Sequence, residues 1–360
     1  MAVSRAVAAA RLRAQLLTEP ADAPKDVVQR LLAVQAQDAR AFRLAVRSRT
    51  AGCTAADVDA ALTDSRSLVV TWLCRGTLHL VGASDYPWLH ALTAPRVTPR
   101  ITRRLLQLGV DPTMTDRGVA VIVETLADGP RSRDQLRAAL DAARVPTAGQ
   151  ALVHLIAAAS LRAHVVRGPV RDGEHCFVDA RRWLATVQAP DPDTCLARLA
   201  RRYLAGHGPA APEDLTAYAG ITLTAARRAF ALVDDETTPV SGGLLALAGA
   251  DDRPLDLPPP RLLGMFDPIL HGWADRTFVT ADHGSVVTSN GLFRATALVN
   301  GRVVGIWRLS DGTVTLTPLE PLSPAVLTAL ETEACDVLGF LGMPDAALAV
   351  RFSRDGESAP

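Results

Sequence analysis

At 360 residues, with 48% hydrophobic but only 4% aromatic side chains, the chain can fill two or three modules of ordinary size with cores of Leu, Val and Ala. Its 38 basic residues, 37 of them arginine and one, Lys25, lysine, are cancelled by 38 acidic ones; this excludes a wholesale nucleic-acid coat and permits only a local basic face. No apolar run approaches the roughly 18 residues of a membrane span, and residues 1–10 lack a leader-like core. The odd, scattered set Cys53, Cys74, Cys176, Cys195 and Cys335, with no C-x-x-C, argues against a disulfide frame or a zinc site. A cytoplasmic protein is expected.

The spacing predicts a first helix over 4–17 and a second over 25–35, the latter opened by Pro24-Lys25-Asp26 and carrying Val27, Val28, Leu31, Leu32 and Val34 at helical intervals. The stretch Val34-Gln35-Ala36-Gln37-Asp38-Ala39-Arg40 follows, so Gln35 and Gln37 sit at or just past a helix end. On a regular helix two such residues diverge by about 200°, but where the chain unwinds both amides can face one side. A pair of amides can then converge on one water molecule. Glutamine has no usable pKa, so the pair orients water without removing a proton permanently. That suffices only where the leaving group is already good, as in a cationic N7- or N3-alkylated purine. On spacing alone, two glutamines at a helix terminus are solvated or capping residues.

Farther along, residues 54–63 form a third expected helix, with Thr54 as cap and Asp57 in its first turn. Strands over 67–73 and 77–81 flank Arg75-Gly76, and helices followed by a β-hairpin make a winged-helix pattern. The pattern recurs with helices at 116–127, 132–143 and 147–160 and strands at 162–167 and 175–178. A third copy has helices at 194–205, 212–219 and 222–230 and a short strand pair around Ser241-Gly242-Gly243. Beyond Pro254, Pro258, Pro259 and Pro260, strands at 292–298 and 302–309 flank Asn300-Gly301, a favoured two-residue turn. A strand at 313–319, a helix at 324–339 and a strand at 346–352 complete a small β-rich, partly barrel-like domain. The expected fold is α+β, with winged-helix units at 1–112, 113–190 and 191–250 and the β-rich domain at 251–360. The long irregular stretch 265–290 carries Asp267, His271, Trp273, Asp275, Arg276, Asp282 and His283, and such loops are often functional.

Four segments taken together, VQAQDAR at 34–40, TWLCRGTLHLV at 71–81, LLGMFDPILHGWADR at 262–276 and GLFRATALVNGRVVGIWR at 291–308, resemble the winged-helix DNA glycosylase superfamily, in its alkylpurine branch with a Gln-x-Gln motif. The resemblance covers essentially the whole chain. It implies tandem winged helices that form a C-shaped surface straddling duplex DNA, with a β-hairpin probing the minor groove. It also implies that Gln35 and Gln37 position the water that attacks the anomeric carbon; a sister branch has Gln-x-Asp. Members of the Gln-x-Gln branch typically give self-resistance to DNA-alkylating natural products.

Arg40, Arg43, Arg47 and Arg49 follow the motif and read as a phosphate-contacting stripe. Arg75, Thr77 and His79 on the hairpin, and Arg276, Asn290, Arg294 and Arg302 farther on, complete the candidate DNA contacts. Asp267 and Asp275 either line the pocket or form ion pairs that pin the long loop. Arg227 and Arg228 read as a solvated face. No metal and no cofactor are expected, and a monomer acting on double-stranded DNA with alkylated purines is. The rivals are a non-enzymatic tandem winged-helix DNA-binding regulator and a protein that sequesters an alkylating drug. Two convergent amides have no use in a regulator, and few aromatics are present to stack a planar drug.

Overall fold

The computed structural model describes residues 4–171, 173–185, 188–249, 257–281, 283–343 and 347–350; Pro254, Asp282 and Phe352 lie outside them. The chain is a mixed α+β protein with small, mostly antiparallel sheets. It divides into two compact units that interleave in sequence, one made of Met1–Val58, Arg201–Tyr218 and Val233–Pro360, the other of Asp59–Ala200 and Ala219–Leu232.

In the second of these units the two expected hairpins join in one sheet. Strand Leu68–Trp72 pairs with Leu78–Gly82 on one side and, through Val70 and Arg167, with Val165–Arg171 on the other, which in turn pairs with Glu174–Asp179. Between the first two strands Arg75 and Gly76 take φ of 56° and 73°, a left-handed step that glycine makes without strain. Helix Ala151–Leu161 packs against Tyr86–Gln107 and Pro112–Thr125. It is apolar nearly all round, as a central helix must be, and buries Leu152, Leu155, Ile156 and Ala159. Ser132 and Gln135 form a reciprocal cap that starts Arg133–Ala142.

The other unit carries an open five-stranded sheet, not the partly barrel-like arrangement expected. Its order is Ala347–Val350, Thr313–Pro318, Arg302–Ser310, Thr296–Val299, Arg261–Leu263, antiparallel except where Thr313–Pro318 meets Ala347–Val350. Asn300 and Gly301, at φ 51° and 77°, make the tight turn between two of these strands. Helix Pro324–Phe340 packs on Arg261–Leu263 and on helix Ala39–Arg47. Among the described residues no helix is long and apolar enough to cross a membrane.

Two local departures matter for the site. The second helix is Pro24–Leu31 and ends four residues before the spacing predicts, because Leu32 adopts φ 68° and ψ −53° and breaks it. The chain then extends as Ala33–Gln35 and re-enters a helix at Ala39–Arg47, in a stretch that reads from the sequence as a basic stripe.

Candidate active site

The break at Leu32 gives the glutamines their geometry. Val34 and Ala36 are buried on either side of Gln35, which is itself only 8% exposed at the end of its short strand. Gln37 follows in irregular chain and is exposed. The two side chains meet: Nε2 of Gln35 donates to Oε1 of Gln37 at 2.6 Å. On one continuous helix they would diverge. The bond consumes an acceptor on Gln37 and leaves its amide nitrogen, on an exposed residue, to meet a water. One residue on, the carboxylate of Asp38 accepts from the N–H of Ala41 at 2.7 Å and caps Ala39–Arg47, which fixes where the motif ends. The sequence signal for Asp38 is the ordinary one for a cap, an Asp ahead of an apolar, helix-spaced run.

The arginines after the motif divide by burial. Arg40 is exposed in the first turn of the helix. Arg43 is buried at 9% exposure, lies over the ring of Phe42, 4.7 Å from its centroid, and bonds back to the carbonyl of Ala39, which takes it out of the expected phosphate-contacting stripe. Arg47 does not belong to a surface stripe: it is 5% exposed, pairs with Glu333 and Asp336 and donates to the carbonyl of Leu262 at 3.2 Å. Arg49 is fully buried, and its two terminal nitrogens reach the two carboxylate oxygens of Asp267 at 2.9 and 2.7 Å. Asp267, equally buried, also accepts from the N–H of Ile269 at 3.0 Å. Of the two roles expected for Asp267, it fills the second: it pins the long loop and lines no open pocket.

Asp275 caps its own turn by accepting from the backbone and hydroxyl of Thr277 at 2.8 and 2.9 Å. Arg276 stacks 5.0 Å from the centroid of Phe293, and burial pulls its pKa down against the opposing charge of Asp275. Asn290 and Arg302 are exposed and Arg294 is half-buried. On the hairpin, Arg75 and Thr77 are half-buried, with the Thr77 hydroxyl donating to the carbonyl of Cys74 at 3.3 Å. His79 is 3% exposed, its Nδ1 3.0 Å from the carbonyl of Thr77. Burial, helped by the charge of Arg75, pushes its pKa down to about 3. A neutral, enclosed imidazole is a packing group, which corrects the expectation that His79 reaches DNA. Arg228 is exposed and pairs with Asp193. Among the described residues no three His, Cys, Asp or Glu side chains stand together as a metal site.

A mixed α+β chain whose convergent polar motif is a pair of amides suits hydrolysis at a centre with its own good leaving group, and comparison with known proteins gives that class a name. A family model described as "DNA glycosylase AlkZ-like" matches residues 28–340. An interstrand DNA cross-link repair glycosylase of Streptomyces sahachiroi is 29% identical over 357 residues, covering 92% of this chain and 95% of that protein. The solved structure of the Streptomyces sahachiroi DNA glycosylase AlkZ superposes with a TM-score of 0.78 at 27% identity, over 98% of this chain and all of that one. The class is therefore DNA glycosylase, an enzyme acting on N-glycosyl bonds in DNA, as the four sequence segments led us to expect. Within that class, the chain belongs to the AlkZ-like family. A non-enzymatic regulator is not favoured.

Proposed function

We infer that this glycosylase is monofunctional and excises bulky or crosslinked N7- or N3-alkylated purines by direct water attack, with Gln35 and Gln37 holding the water. The observation that carries the reading is the 2.6 Å bond between Gln35 Nε2 and Gln37 Oε1, which joins the two amides into one unit at a helix break. Alkylation leaves the purine positively charged. As the water oxygen bonds to the anomeric carbon, the glycosidic electron pair returns to the base, which departs neutral, and the surplus water proton passes to solvent. No general base of matched pKa is needed for such a leaving group, and what the protein supplies is position and orientation. Winged helices would present the DNA-facing elements, and Arg40, Arg75, Thr77, Arg276, Asn290, Arg294 and Arg302 are the contacts we assign to DNA.

The similarity to an interstrand cross-link repair glycosylase of Streptomyces sahachiroi supports interstrand crosslinks as substrates, and the Gln-x-Gln motif is our ground for proposing a role in self-resistance to a DNA-alkylating natural product. We place the enzyme in the cytoplasm as a monomer. The test is a panel of duplex oligonucleotides bearing N7-methylguanine, a bulky N7-guanine adduct, an N3-adenine adduct and an N7–N7 interstrand crosslink, each assayed for abasic sites. Excision of the bulky or crosslinked members is the expected result. Abasic sites from none of them would overturn the reading.

A further inference from the structure

The glutamine pair depends on an unfavourable piece of backbone. Leu32 is a fully buried, non-glycine residue at φ 68° and ψ −53°, a conformation that costs free energy and persists only where its surroundings enforce it. The enforcing group is identifiable. The phenol oxygen of Tyr218 accepts from the N–H of Ala33 at 3.0 Å, donates to the carbonyl of Leu31 at 2.9 Å and lies 3.2 Å from the carbonyl of Ala33. One hydroxyl thus holds the last helical residue before the break and the first strand residue after it, two residues ahead of Gln35.

Tyr218 is itself set rigidly. It is 5% exposed and lies in an aromatic cluster, 5.1 Å from the ring of Tyr203 and 4.6 Å from that of His207. His207 stacks on Tyr203 at 4.8 Å, and the Tyr203 hydroxyl donates to the carbonyl of Gly272 at 2.7 Å. A phenylalanine would fill the same space, so packing alone does not account for a phenol whose oxygen reaches three backbone groups at the break.

We propose that Tyr218 is a positioning residue for the reaction: its hydroxyl holds the Leu31–Ala33 break in the conformation that brings Gln35 and Gln37 together. The proposal rests on the reading of the glutamines as the water-holding pair. Reactions of this kind lose about a hundredfold for a displacement of about 1 Å, so losing the clamp while keeping the ring should act on the chemical step.

The experiment uses the full chain and the adduct that the wild type excises fastest. Tyr218→Phe should lower single-turnover excision by about tenfold or more, with duplex affinity within about twofold of wild type. In a Gln35→Ala background the same change should add nothing, because the positioned group is already gone. Tyr203→Phe, which deletes the neighbouring phenol, is the control for general loosening and should keep the wild-type rate. Variants are assayed well below their unfolding midpoints, with the folded fraction fixed by near-ultraviolet circular dichroism. A wild-type rate in Tyr218→Phe overturns the proposal, as does an equal loss in both backgrounds or an equal loss in Tyr203→Phe. If Gln35→Ala itself excises normally, the reading of the glutamines has failed and the proposal falls with it. If Gln35→Ala is slow and Tyr218→Phe is not, the tyrosine alone was misassigned.

Discussion

The direction of the bond between the two glutamines makes them unequal, and acidic substitutions expose the inequality. Gln35 is the donor and Gln37 the acceptor, at 2.6 Å. In Gln35→Glu a carboxylate replaces the donating amide, so two oxygens face each other at a position only 8% exposed. The link to Gln37 is lost, and a charge is placed where water is scarce. In Gln37→Glu or Gln37→Asp the acceptor survives and gains charge, which strengthens the bond from Gln35, and the residue is exposed, so little desolvation is incurred. Removing one preorganised hydrogen-bonding group from a reaction centre costs about 10²–10³ in rate, or about 3–4 kcal/mol. Gln35→Glu should reach that range. Gln37→Asp should stay within about tenfold of wild type, and Gln35→Ala with Gln37→Ala should lose little more than the worse single change, since groups acting as a unit are not additive. The assay is single-turnover release of base from an N7-alkylguanine duplex, with thermal midpoints recorded beside it. Equal rates for Gln35→Glu and Gln37→Glu at equal stability would refute the donor–acceptor argument, and full excision by the double alanine variant would end the mechanism.

Duplex affinity should fall with salt despite zero net charge, and Arg40→Ala with Arg302→Ala should lower the log–log slope by about 0.9 for each phosphate no longer neutralised, as read by fluorescence anisotropy over a salt series. Arg47→Ala should leave that slope unchanged and instead destabilise the fold by about 3 kcal/mol, because Glu333 keeps a buried charge without its nearest partner; a urea midpoint at the wild-type value would contradict this. His207 is fully buried, and burial chiefly pushes its pKa down to about 3, so the unfolded chain binds a proton there below pH 6.5 that the folded chain refuses. Stability should therefore fall on acidification from pH 6.5 towards 3, by about 1.4 kcal/mol per pH unit from this residue, and His207→Phe should flatten the fall in urea titrations between pH 7 and 5. Borohydride should trap no enzyme–DNA adduct, since the only lysine, Lys25, is exposed in the first turn of Pro24–Leu31, beyond the helix break from Gln35; a trapped adduct that vanishes in Lys25→Ala would place the reaction in another class.

Features whose cause is local were legible in the sequence. Thr54 with Asp57 marks a helix start, and Asn300-Gly301 marks a turn, because each signal acts over a few residues. That Gln35 and Gln37 can face one side was legible, but the backbone that brings them together was not. Leu32 carries no turn signature, and Val34 continues the apolar spacing, so the pattern reads as helix straight through the break. The hydroxyl beside the break belongs to Tyr218, 185 residues from Ala33, a separation no periodicity can report. Helix Ala39–Arg47 was hidden for a related reason: its arginines suggest a surface, and what draws Arg47 inward is Glu333, 286 residues away.

Zero net charge and 37 arginines are reconciled by where the guanidinium groups go. Arg11 reaches Asp214 at 3.4 Å and the carbonyl of Pro209 at 2.9 Å, and lies 4.9 Å from the centroid of the Trp273 ring. Arg47 and Arg49 are held by Glu333 and Asp267. Each makes several directed bonds from one planar group, which a lysine ammonium cannot reproduce in those geometries. Part of the basic content is thus structural and already neutralised by carboxylates, so it contributes little field at the surface. A phosphate backbone would be met by exposed cations such as Arg40 and Arg302, and neither has a carboxylate partner among the described ion pairs. For this chain the count of basic residues says little about affinity for DNA, and the position of each arginine relative to its nearest acid says more.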